Sequence, residues 1–109
     1  MIDVVRDAAE EKKGEEFVTI DVGDRTILAD TFVIVSGRSK IQTRAIADGI
    51  VERVKEHGFS VARMEGYNEG TWILIDLGNA IVHVFTPEQR EFYNIERLWR
   101  EVEKRQAQG

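Results

Sequence analysis

Apolar residues along the chain recur first at helical spacing and then in alternation, and each change of period marks a new element. Ile2, Val5, Ala8 and Ala9 predict a short amphipathic helix over Met1–Lys13, ended near Gly14. Phe17–Val22 alternates and is rich in β-formers, which predicts a first strand. Thr31–Val35 is an almost continuous β-branched run, bounded by Asp30 and Ser36-Gly37, and predicts a buried second strand. Ser39 and Gln42 stand in capping-box relation, with the Ser39 hydroxyl accepting from the amide three residues on and Gln42 reaching back to the Ser39 N–H. The helix they open carries Ile41, Ala45, Ile46, Ile50, Val51 and Val54 as one stripe and stops at Gly58. Ser60–Glu65 reads as a third strand, with Val61, Arg63 and Glu65 on one side and Ala62 and Met64 on the other.

Two further strands, Trp72–Leu77 and Ala80–Phe85, flank Gly78-Asn79, a two-residue hairpin turn with glycine at its first central position. A last helix opens with Thr86 as N-cap, Pro87 at the first helical position and Gln89 two residues on. Phe92, Ile95, Leu98, Trp99 and Val102 line one face of it, with Leu98 and Trp99 assigned to the core and pairs such as Glu96–Arg100 on the other face. Residues 105–109 are expected to fray. The resulting order is αββαβββα. It describes an α+β (mixed α/β) fold with a mixed sheet of about five strands, built as one domain over residues 1–109.

The tight turn fixes the register of the hairpin, because residues directly opposed share a face. Ile73, Ile75, Leu77, Ala80, Val82 and Val84 form one wholly aliphatic face that must lie beneath helices. The other face holds Trp72, Leu74, Asp76, Ile81, His83 and Phe85. Large anchors around a few polar groups are the composition of an interface centre. A second layer of core, with His83 bonded to a backbone group, accounts for the same residues, and the pattern leaves both readings open.

Composition narrows the chemistry. Fifteen Lys and Arg stand against 20 Asp and Glu, a formal net charge of −5. Such a balance repels a polyanion and favours a basic protein partner. There is no cysteine and there are only two histidines, His57 and His83, so thiol chemistry, disulfides and multi-histidine metal sites are excluded. The N-terminal residues carry charges where a secretory segment would be apolar, and no apolar run is long enough to span a bilayer. A soluble cytosolic protein is expected.

Three enzymatic readings compete with a binding role. Ser36-Gly37-Arg38-Ser39 follows a strand and opens a helix, a place where amides can hold an anion, but the pattern of a phosphate-binding loop is missing and a turn with an N-cap explains the residues. Nucleotidyl transfer needs closely spaced carboxylates for two metals; Arg63-Met64-Glu65 puts a cation at the first position and leaves Glu65, with Asp76 on the next strand. Acid–base or nucleophilic work by His83 with Asp76 and Ser36 rests on Asp76 and His83 being diagonal neighbours, and a lone strand histidine is more often structural. His57 at a helix end reads as a C-terminal cation, and the mixed charges from Arg90 to Arg105 read as a solvated helix face.

Several segments, in order and at matching spacing, carry a family resemblance: Asp30-Thr31-Phe32-Val33-Ile34, Ser36-Gly37, Ala45-Ile46-Ala47-Asp48, Glu65-Gly66 and Trp72-Ile73-Leu74-Ile75-Asp76-Leu77-Gly78. The most specific are Val82-His83-Val84-Phe85 and Arg90-Glu91-Phe92-Tyr93-Asn94-Ile95-Glu96-Arg97-Leu98-Trp99. With these the chain resembles the ribosomal silencing factor (Iojap) family over almost its whole length. The resemblance implies a nucleotidyltransferase-like fold without the catalytic carboxylates, and a translation repressor rather than an enzyme. It implies no cofactor, a bacterial cytoplasmic location, and homodimers in some members. It also implies binding to the fourteenth protein of the large ribosomal subunit, which blocks joining to the small subunit when nutrients run short. On the hairpin face, Trp72 and Leu74 are the expected anchors and Asp76 and Glu65 the acceptors, with Tyr67 and Glu69 nearby. A degenerate nucleotide-binding protein is the alternative.

Overall fold

The computed structural model describes residues 1–99. The elements run α1 (Ile2–Glu11), β1 (Glu15–Asp21), β2 (Thr31–Ser36), α2 (Lys40–Glu56), β3 (Arg63–Glu65), β4 (Trp72–Asp76), β5 (Ala80–Phe85) and α3 (Pro87–Tyr93), and residues 95–99 are again helical. One five-stranded sheet has the order β1-β2-β5-β4-β3. β2 and β5 pair in parallel at its centre; the other three pairings are antiparallel. The α+β class and the element order expected from the sequence hold.

Each sheet face has its own core. On the inner face Val33, Val35, Ile73, Ile75, Leu77, Val82 and Val84 pack under Val5, Ala8 and Ala9 of α1 and Ile46, Ala47, Ile50 and Val54 of α2. The hairpin register is the expected one: Ile73 faces Val84, Ile75 faces Val82, and Leu77 N–H donates to the Ala80 carbonyl at 2.9 Å. Gly78 takes φ +89°, the left-handed backbone this turn requires. On the outer face Ile20, Val22, Phe32, Ile34, Ile81 and Phe85 are buried, with Ile95 and Trp99 packed over them.

The structure corrects several boundaries and contacts. β1 starts at Glu15, not Phe17, because a bulge between Glu15 and Val18, with Glu16 at φ +52°, lets the strand continue upstream out of phase. β3 is only Arg63–Glu65, and Val61 packs on the inner core rather than sharing a side with Arg63 and Glu65. Ser39 does cap α2, its hydroxyl accepting from Gln42 N–H at 3.1 Å. The Gln42 side chain, however, accepts from Arg38 N–H at 2.9 Å rather than from Ser39, and donates to the Lys12 and Lys13 carbonyls. Ile41 leaves the buried stripe and stands 78% exposed, while Thr43 is buried, its hydroxyl donating to the Gly70 carbonyl at 2.5 Å.

The largest correction concerns the last helix. Thr86 and Pro87 open it as expected, although the Thr86 side chain makes no capping hydrogen bond. It ends at Tyr93, where Asn94 adopts left-handed φ 46°, ψ 52°. Asn94 then starts the next helical stretch, its Oδ1 accepting from Arg97 N–H at 3.4 Å. The break turns Ile95 and Trp99 onto the sheet and leaves Phe92 and Leu98 exposed, so Leu98 is not core. Arg90 is buried, not solvated. It donates to Ser36 Oγ at 2.9 Å and to Glu96 Oε1 at 2.6 Å, the carboxylate neutralising a guanidinium that burial would otherwise penalise. Val102, Arg105 and the Glu96–Arg100 pairing lie outside the described residues.

Candidate protein-docking face

Among the described residues, the outer face is closed at one end and open at the other. Toward β1 and β2 it is sealed by Ile95 and Trp99, whose indole meets Phe32 edge-on with centroids 5.3 Å apart. Toward β4 and β3, Trp72 and Leu74 are half-buried. The second-layer reading therefore holds for the part of this face beneath Ile95 and Trp99. The open end is a hollow of about 230 Å³ lined by Glu65, Gly66, Trp72 and Leu74.

Trp72 forms the wall between the two ends. Its ring lies against Phe85 at 5.0 Å and against Tyr93, the last residue of α3, at 4.7 Å. Its Nε1–H donates to His83 Nδ1 at 3.1 Å. Leu74 is opposed to Glu65 on β3 and to His83 on β5. Gly66 closes the floor at φ +79°; a Cβ there would stand 2.1 Å from the Trp72 carbonyl oxygen, so no side chain fits.

Asp76 and Glu65 are joined by a cation. Arg63, opposite Asp76, places its guanidinium 3.6 Å from Asp76 Oδ2 and 3.4 Å from Glu65 Oε1. The second Asp76 oxygen accepts from Gly78 N–H at 2.9 Å and shapes the turn. Glu65 and Arg63 are both exposed, so this pairing is screened and exchangeable.

Tyr67 is not brought into the hollow. It packs on the inner core, and its hydroxyl donates to Asp48 Oδ2 at 2.8 Å, a bond that raises the Tyr67 pKa above its ordinary value. The Tyr67 carbonyl accepts from Arg44 Nε at 3.0 Å and the Asn68 carbonyl from Arg44 Nη2 at 2.6 Å. With Thr43 holding Gly70, these bonds strap the 66–71 loop to α2 and fix the approach to Trp72. Glu69 is exposed on that loop.

The competing chemistries find no assembled site. The Arg63 guanidinium lies where a metal shared by Glu65 and Asp76 would sit. No group of three or more potential metal ligands exists among the described residues. Ser36 is held by Arg90, His83 by Trp72, and Asp76 by Gly78 and Arg63, so the three do not form a relay. In the Ser36–Ser39 turn, Gly37 N–H donates to the Phe85 carbonyl and Arg38 N–H to Gln42, so these two amides are not available to an anion. Sequence reasoning missed the Trp72–His83 pair by examining only the other diagonal, Asp76 to His83. The same cross-strand geometry allows both diagonals, and an indole reaches further than a carboxylate.

Comparison with known proteins agrees with this architecture. The family described as "Ribosomal silencing factor during starvation" matches residues 1–109. The ribosomal silencing factor of Bacillus subtilis is 40% identical over 92 residues, covering 84% of this chain and 78% of that protein. Its counterpart in Halalkalibacterium halodurans is 35% identical over 109 residues, covering 100% of this chain and 93% of that one. A crystal structure of a Chromobacterium violaceum protein superposes with a TM-score of 0.88 at 33% identity, covering 90% of this chain and 82% of that one. No helix among the described residues is long and apolar enough to cross a membrane. Full-length sequence agreement and a shared fold together place this chain in the ribosomal silencing factor (Iojap) family.

Proposed function

We propose that this chain represses translation in the bacterial cytoplasm without catalysis. It docks on the fourteenth protein of the large ribosomal subunit and blocks, by its bulk, the joining of the large subunit to the small one when nutrients are scarce. The observation that carries this reading is the hollow in which Trp72 and Leu74 stand half-exposed beside Glu65. An indole and a leucine beside exchangeable carboxylates suit a partner that offers one apolar side chain flanked by arginine or lysine. Asp76 and Glu65 receive the cations, Glu69 lies nearby, and Tyr67 holds in place the loop that carries Gly66 and Glu69. The net charge of −5 favours a basic ribosomal protein over bare RNA. An interface of roughly 800 Å² on each partner is enough for a steric block.

Capture of the purified fourteenth protein on this chain tests the reading. Glu65→Lys, at an exposed position that folding does not need, is expected to weaken capture about tenfold or more. Binding by wild type is expected to fall as salt rises from 50 to 500 mM, because exposed charge pairs are screened. Undiminished capture by Glu65→Lys and Trp72→Ala together would contradict this docking site.

A further inference from the structure

Trp72 and His83 are diagonal neighbours across the β4–β5 pair, since Trp72 faces Phe85 and Leu74 faces His83. The indole N–H donates to His83 Nδ1, so Nδ1 is the acceptor and the ring proton sits on Nε2. His83 is 5% exposed, and Nε2 is buried with no hydrogen-bond partner among the described residues. The imidazole is held edge-on by Phe32 at 5.1 Å and stacked over Phe85 at 6.0 Å and 9°. Burial pushes its pKa down to about 4, so the ring stays neutral and Nδ1 stays an acceptor at neutral pH.

An imidazole whose N–H has no partner among the described residues is a poor core filler. Leucine or phenylalanine would occupy such a place without that cost. What distinguishes histidine from them here is the Nδ1 lone pair, and that lone pair holds Trp72. The other contacts of the indole, with Phe85 and Tyr93, are ring against ring and tolerate rotation and sliding. The hydrogen bond is directional and selects one rotamer.

We propose that His83 is the positioning residue of the docking face: by accepting the indole N–H it fixes the Trp72 ring in the orientation that walls the hollow beside Leu74 and Glu65. The role rests on the docking reading given above. His83 touches no partner itself; it acts through Trp72.

Two readouts test it on the whole chain. The first is the indole N–H resonance of Trp72 in the free protein, identified by its disappearance in Trp72→Phe. The second is affinity for isolated large ribosomal subunits. His83→Leu is expected to shift that resonance, speed its exchange with solvent and weaken binding about tenfold. His83→Asn, whose Oδ1 can take the place of Nδ1, is expected to keep the resonance protected and bind within about threefold of wild type. A folded His83→Leu with an unmoved resonance and wild-type binding overturns the proposal, as does His83→Asn binding no better than His83→Leu. Should the leucine variant not fold, Trp72→Phe keeps a ring and removes the donor: binding about tenfold weaker supports the proposal and wild-type binding overturns it. Wild-type binding by Trp72→Ala overturns the docking reading itself, and this role of His83 with it. Loss of binding in Trp72→Ala, with wild-type binding in Trp72→Phe and His83→Leu, overturns the positioning role alone.

Discussion

Arg63 decides how much negative charge the proposed docking face shows, because its guanidinium lies within 3.6 Å of both Asp76 and Glu65. Arg63→Ala exposes both carboxylates to a basic partner. It is expected to tighten binding to large subunits a few-fold and to steepen the fall of affinity with salt, both read by titration at several salt concentrations. Weaker binding in this variant would mean that Arg63 itself contacts the partner. His83 sets a second residue-scale expectation. Burial lowers its pKa from 6.5 to about 4, so the unfolded chain takes up the proton first as pH falls. The stability this contributes is intact above pH 6.5 and is lost progressively down to pH 4. Between pH 7 and pH 5 the loss is about 2 kcal/mol. Urea unfolding of wild type and His83→Asn at both pH values isolates it, since the carboxylates titrate alike in the two proteins.

At the level of elements, the signals that were legible are those written within a few residues. The Gly78-Asn79 turn fixed the hairpin register, and Ser39 with Gln42 marked the start of α2, because each rests on short-range backbone geometry. The break at Asn94 was hidden by apolar periodicity that runs on from Phe92 to Trp99, although an asparagine able to cap a following helix was its trace. The burial of Arg90 was hidden too, since its partner Ser36 lies on a strand far away in sequence. Gln42 joins α1 to α2 through the Lys12 and Lys13 carbonyls, a tie no spacing rule reveals. Gln42→Ala is expected to cost about 1–2 kcal/mol in urea unfolding, with the proposed docking face unaffected. Gly66→Ala is expected to cost more than about 2 kcal/mol, because φ +79° and the Trp72 carbonyl both oppose a side chain. The same change displaces Trp72, so binding falls beyond what lost stability explains.

Across the whole molecule the sheet divides its labour. The inner face, sealed by α1 and α2, supplies stability, while among the described residues the outer face is closed by Ile95 and Trp99 at one end and left half-exposed at Trp72 and Leu74. Composition showed that a second apolar face existed; it could not show that Ile95 and Trp99 would lie on it, because that depends on where the chain turns at Asn94. The half-exposed Trp72 and Leu74 and the net charge of −5 support the proposal that the protein acts by occupying another's surface. The most direct test mixes this chain with isolated large subunits, adds small subunits and follows ribosome formation by sedimentation. Wild type should stay with the large subunits and suppress the joined peak, and Trp72→Ala with Glu65→Lys should restore it. Suppression by the double variant equal to that of wild type would contradict the account.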